Sequence, residues 1–195
     1  PNGVLFANGL KQVVFNQTKL ARFTHNGSLF EKLTAGPNNI WGLTISREGE
    51  IWLQEANDLG YPIIPYEPGG YYQTGSPERL RSYQPLMPAP LAPPQMGGTG
   101  LSGLALADDR NGWSLPWGFK GAKNSSPRLF YVANPITSRI QTILATPRNG
   151  HYTYEKKTDF LCSEDSRFRP VSIQFGPDGC LYVTDWYNKI ISHNE

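Results

Sequence analysis

Histidine, methionine and cysteine are scarce in this chain of 195 residues, which has three, two and two of them. No CxxC or CxxCH spacing and no Cys/His cluster occurs, so a structural zinc and covalent haem are excluded from these residues. The GxSxG, Walker A and HExxH motifs are also missing, which removes the hydrolases and nucleotide-binding proteins that depend on them. Charged residues make up 17%, against about 25% in an average protein. Lys plus Arg is 18 and Asp plus Glu is 16, a net charge of +2, so binding nucleic acid through phosphate neutralisation is not indicated. No run of 18 apolar residues exists, and a membrane-spanning helix needs about 20.

Glycine (20) and proline (17) are abundant, together about a fifth of the chain against an average of about 12%. That excess favours many turns and few long helices. With 12% aromatics and low charge, the composition is not that of a disordered chain.

The strongest signal is a repeated unit of short strands and Gly/Asp/Asn turns. Its clearest copy runs from Phe168 to His193. Val171, Ile173 and Phe175 alternate with polar residues, as in a half-buried strand. Gly176-Pro177-Asp178-Gly179 is a tight turn, Leu181-Tyr182-Val183 a second strand, Asp185 to Asn188 a further turn, and Ile190-Ile191 the start of a third strand. A second copy spans Asn38 to Gly60, with Trp41, Leu43 and Ile45 alternating, a turn at Arg47 to Glu50, and Ile51-Trp52-Leu53 following. In a third, Gly100 to Leu106 is the first strand, Leu129 to Val132 the second and Arg139 to Leu144 the third. A partial copy reads as strand at 12–15, turn, strand at Leu20 to Phe23, and turn at His25-Asn26-Gly27.

Such units are what β-propeller blades look like. A β-sandwich also has short strands but does not repeat the same strand–turn–aromatic strand–Asx turn unit. The expected fold is all-β, a partial propeller of about three and a half blades. Closed rings have four to eight blades, so the chain reads as a fragment, 1–195, of one propeller domain completed by further blades or a partner chain. Long loops are expected at 61–96 and 107–127. Tyr61 to Gln95 holds nine prolines, which rules out a helix or a central strand there.

In a propeller, the residues at the start of each innermost strand surround one mouth of the central channel. Here these are Asn38, Asn39 and Trp41; Thr99, Leu101 and Ser102; and Phe168, Arg169 and Pro170. Asn39, Trp41, Ser102 and Arg169 are the candidate cofactor-binding residues. Asn39 and Ser102 could equally do no more than satisfy backbone groups. The Arg169 guanidinium suits a carboxylate or a quinone-type oxygen pair; its alternative is a structural salt bridge. His193 is the candidate general base, against a hydrogen-bonded structural role. His25, in a turn, and His151, in a polar loop, read as surface residues. Glu55, Asp58 and Asp185 lie in Asx-type turns, where carboxylates bind Ca²⁺ or, more often, cap backbone amides. No metal site is assigned. Gly97 to Gly100 precedes a strand, so it lacks the helix N-terminus that holds phosphate. Trp113 and Trp117, in the second long loop, are candidate sugar-stacking residues. Cys162 and Cys180 are one disulfide or two free thiols.

The string FRPVSIQFGPDGCLYVTDWYNKIISHNE resembles the last-blade signature of PQQ-dependent sugar dehydrogenase-like propellers. More narrowly, it resembles the putative membrane-bound dehydrogenase family abundant in Planctomycetes. GPNNIWGL (36–43), QEANDLG (54–60), GGTGLSGLAL (97–106) and YVANPITSRIQ (131–141) fit the same family. The resemblance covers essentially the whole chain. It implies a six-bladed ring and oxidation of a sugar or alcohol with a quinone, PQQ, and Ca²⁺ at the channel mouth. A His base and arginines around the cofactor are implied; Arg169 lies at a plausible position for one of the arginines, whereas the family's His base has no clear counterpart here. It also implies an attached cytochrome c domain in many members, and export to the periplasm or the extracellular space, which would suit a Cys162–Cys180 bridge. The alternative is a non-catalytic propeller that binds carbohydrate or a protein through Trp113, Trp117 and the Tyr71-Tyr72 loop.

Overall fold

A computed structural model describes residues 3–7, 18–35, 40–56, 63–66, 96–97, 100–107 and 127–191. Every regular element among them is a β-strand, so the all-β expectation holds. The strands form four small antiparallel sheets in chain order. The first sheet holds β1 (Gly3–Ala7), β2 (Thr18–Phe23) and β3 (Phe30–Ala35), and the second β4 (Ile40–Ile45), β5 (Ile51–Glu55) and β6 (Ile63–Pro65). The third holds β7 (Ser102–Ala107), β8 (Arg128–Asn134), β9 (Arg139–Arg148) and β10 (His151–Lys156), with the short β11 (Leu161–Cys162) beside the start of β9. The fourth pairs β12 (Pro170–Phe175) with β13 (Leu181–Asp185).

These sheets are consecutive blades of a partial propeller, because the first strands of blades two, three and four lie side by side. A Cβ on Gly42 of β4 would come within 3.0 Å of the Leu104 nitrogen of β7. One on Gly103 of β7 would come within 3.0 Å of the Ile173 nitrogen of β12. Glycine is required at both points because another backbone passes where a side chain would stand.

Alternation along each strand sends its residues to two different joints. From β7 and β8, Leu104, Leu106, Phe130 and Val132 pack with Trp52 and Ile63 of the second blade. Their neighbours Ala105, Ala107, Leu129, Tyr131 and Ala133 pack with Ile173 of the fourth. Leu20, Ile40 and Leu53 close the joint between the first and second blades. A strand buried on both faces loses its polar alternation, and every residue of β7 and β8 is buried.

Several expectations change. The strand paired with β2 is Gly3–Ala7; residues 12–15 lie outside the described ones. The proline-rich segment opens with β6, which among the described residues is the edge of its sheet, where Pro65 needs no ladder donor. His151 is not in a polar loop but begins β10, across a two-residue turn from Arg148. Asn149 and Gly150 have φ of 49° and 82°, the pair of positive values that a type I′ hairpin turn demands. Ile190 and Ile191 are not in a strand, and within the described residues the fourth sheet stops at β13. Cys162 and Cys180 are both free and exposed. Cys162 pairs with Arg139 on the outer edge of the third blade. Cys180 closes the β12–β13 turn of the fourth. The expected bridge is absent because the ladders hold the two thiols on different blades.

Candidate functional site

All three inner strands are interrupted at the same rung. The register shifts between Ile40 and Gly42 in β4, between Ser102 and Leu104 in β7, and between Pro170 and Ser172 in β12. The extra residue in each bulge is Trp41, Gly103 or Val171. Bulges re-aim a side chain and recur beside functional sites. Of the three, only Trp41 puts a large ring into solvent, with the residue 62% exposed.

From their places at the strand starts, Asn39, Ser102 and Arg169 are expected to be equivalent, and the same register corrects this. Ile40, Ser102 and Pro170 face Glu55, Ala133 and Asp185 respectively, so they are the matching set. One residue earlier stand Asn39, Leu101 and Arg169. Ser102 is thus one place out of line with Arg169 and Asn39. The slip arose because glycine-rich strings leave the strand start ambiguous by one. Gly98 to Gly103 also spells GxGxxG, but it runs into β7 rather than a helix, so it lacks the dinucleotide-binding context. Ser102 is buried, and its hydroxyl has no hydrogen-bond partner among the described residues. Asn39, His193, Trp113 and Trp117 lie outside the described residues.

Arg169 is half-buried just before β12, and its guanidinium faces main-chain oxygens rather than a carboxylate. Nη1 donates to the Pro135 carbonyl at 2.8 Å and to the Ser138 hydroxyl at 3.2 Å. Nε donates to the Asn188 carbonyl and Nη2 to the Lys189 carbonyl, both at 3.1 Å. One side chain therefore clips the 134–138 turn of the third blade to the 185–189 turn of the fourth. Asp185 does the work of a cap: one carboxylate oxygen accepts from the backbone N–H of Arg169 at 2.7 Å and of Tyr187 at 2.9 Å. Tyr187 is held there at a φ of 46°, and Trp186 and Tyr187 are both exposed. Glu55, which matches Asp185 in the second blade, is buried. Among the described residues no group of three or more His, Cys, Asp or Glu is placed to hold a metal ion.

A polar network beside the β8–β9 turn was not read from the sequence. The buried Asn134 and Gln141 amides both donate to the Met96 carbonyl, at 2.9 and 2.8 Å, and Asn134 also donates to the Gln141 oxygen at 2.8 Å. They hold the segment leading into β7 against the third blade. At the opposite end of the strands, Arg128 meets Glu50 at 2.8 Å and Glu48 at 3.2 Å, and the Tyr152 hydroxyl donates to Glu50. Burial opposes the Arg128 charge, yet Glu50, the Tyr152 hydroxyl and Glu48 outweigh it and hold its pKa above the ordinary value. Glu48 is held below its ordinary value, chiefly by its own backbone N–H and then by Arg128. Burial, and then Glu50, push Tyr152 up. The sequence signal for this joint was an arginine directly before the apolar run Leu129 to Val132. The Cys180 thiol is pushed up by its hydrogen bond to Asp178, the reverse of what a reactive thiolate needs.

A family model described as a domain of unknown function, DUF7133, matches residues 121–195. No curated protein matches the chain. Among solved structures, a glucose dehydrogenase is similar at a TM-score of 0.50 and 21% identity, over 85% of this chain and 49% of that one. A second structure, titled crystal structure of glucose dehydrogenase, aligns at a TM-score of 0.47 and 20% identity, over 85% of this chain and 50% of that one. The first likeness is one of fold. The chain spans about half the length of these structures.

Proposed function

We propose that the chain supplies consecutive blades of an exported sugar or alcohol dehydrogenase-like propeller. Its substrate would be oxidised at the channel mouth by a quinone of the PQQ type, with Ca²⁺, and the electrons passed to a cytochrome c domain. The observation that carries this reading is the fold likeness to a glucose dehydrogenase over 85% of the chain. The shared bulge of three inner strands, which leaves the Trp41 ring in solvent, supports it.

The described residues fit the quinone only in part. Trp41 offers an exposed ring for a planar cofactor, and Ser102 a hydroxyl with no partner among the described residues. The Arg169 donors are committed to carbonyl oxygens and Ser138, so in this arrangement Arg169 builds the rim of the mouth rather than offering free donors. That fit is too incomplete to assign a chemical step. The test is titration of the whole protein with PQQ and Ca²⁺, followed by dye reduction with a panel of sugars and alcohols. Cofactor-dependent turnover, with tryptophan fluorescence quenched in the parent and less so in Trp41→Phe, supports the reading. Neither quenching nor turnover removes it.

The second reading is a non-catalytic carbohydrate-binding propeller. The exposed Trp186 and Tyr187 on one turn favour it. Sugar binding without cofactor or turnover selects it.

A further inference from the structure

Two Asn-Gly pairs lie wholly within the described residues; both are exposed, and they differ in the hydrogen bonds made by the asparagine side chain. Asn26-Gly27 sits in the β2–β3 turn, where the Asn26 side-chain oxygen accepts three hydrogen bonds. They come from the Thr24 hydroxyl at 2.8 Å, the Ser28 backbone N–H at 3.1 Å and the Ser28 hydroxyl at 2.7 Å. Asn149-Gly150 forms the β9–β10 turn, is exposed, and has no comparable bond to its amide among the described residues. A Cβ on either glycine, Gly27 or Gly150, would meet nothing within 4 Å, so neither turn is crowded and the difference lies in the hydrogen bonds at the asparagine amide. We infer that Asn149 is a site of spontaneous deamidation in the folded protein, and that Asn26 is protected by its turn.

The chemistry needs no partner beyond water. The Gly150 backbone nitrogen attacks Cγ of Asn149. A new C–N bond forms, the bond from Cγ to the side-chain nitrogen breaks, and that nitrogen leaves as ammonia with the Gly150 amide proton. Water then opens the cyclic imide at either carbonyl, giving aspartate or an isoaspartyl linkage. No electrons are transferred. The isoaspartyl product adds one carbon to the main chain of a turn that tolerates only two residues, so the β9–β10 ladder must slip or open. The slow product is thus a loosened outer strand on the third blade, where Tyr152 and Tyr154 pack against the joint with the second.

The experiment ages the full chain in mildly alkaline buffer, folded and in denaturant, with site-resolved peptide mapping of aspartate and isoaspartate. In denaturant the two sites should convert at similar rates. In the folded protein Asn26 should slow at least about fivefold relative to Asn149, the factor that breaking one net hydrogen bond supplies. Equal slowing at both sites, or faster conversion at Asn26, overturns the assignment. Asn149→Gly keeps the turn and removes the reacting group. Hydrogen exchange at Tyr152 to Tyr154 should quicken with age in the parent and not in this variant. If both age alike, the consequence for the hairpin is wrong.

Discussion

The third and fourth blades are built from the same strand–turn–strand unit, yet they are held in different ways. In the third, β7 and β8 are apolar on both faces because a blade lies on each side. In the fourth, Ile173, Phe175 and Leu181 pack towards the third blade. Their neighbours in the ladder, Ser172 with Thr184 and Gln174 with Tyr182, face away and are exposed. The repeat therefore specifies the blade, and its two faces differ in polarity from one blade to the next. The joint between the two is sealed in the middle by side chains and at the turns by Arg169.

The largest effect should come from emptying a joint. Phe130 is fully buried, with its ring 4.8 Å from that of Trp52. Phe130→Ala should cost about 3–5 kcal/mol in denaturant melts, whereas a loss under about 1 kcal/mol would mean the second joint is not a packed core. Next is Gly103→Ala, whose Cβ would press on the Ile173 nitrogen and the Ser172 Cα at 3.0 Å with φ at 68°. Overpacking and the left-handed backbone together should cost about 2–4 kcal/mol.

Arg169→Ala should cost about 2 kcal/mol, because it removes a charged donor set from two turns at once. It should raise hydrogen exchange at 134–138 and 185–189 together. Exchange rising at only one turn would break the idea of a clip.

The Arg128 cluster ties the second blade to the third, and its pH dependence follows from Glu48. The folded pKa of Glu48 lies below its ordinary value of 4.5. Its contribution is therefore present above about 4.5 and is lost as pH falls through the lower folded value. Arg128→Gln should flatten that loss only in part, since the backbone N–H is the larger cause; melting temperature against pH measures it. The smallest effect is expected of Trp186→Ala, an exposed residue of the fourth blade, at within about 0.5 kcal/mol of the parent. A larger loss would show Trp186 to be packed in solution.

The sequence by itself determined the strands and their turns. Alternation placed β4, β5, β7, β8, β12 and β13, and Gly176 to Gly179 marked its turn, because period-two patterning and turn chemistry are local. It missed β10, although Asn149-Gly150 is a turn signal, because polar flanks masked an edge strand. Tertiary structure alone decided which rung each residue occupies. Trp41, Gly103 and Val171 share a bulge, and Ser102 falls out of line with Arg169, because register depends on a partner strand far away in sequence. It also decided what Arg169 does. A guanidinium beside a strand reads the same whether it meets a ligand or the carbonyls of two turns, and only the packing of the third blade against the fourth brings Pro135 and Asn188 to the same side chain.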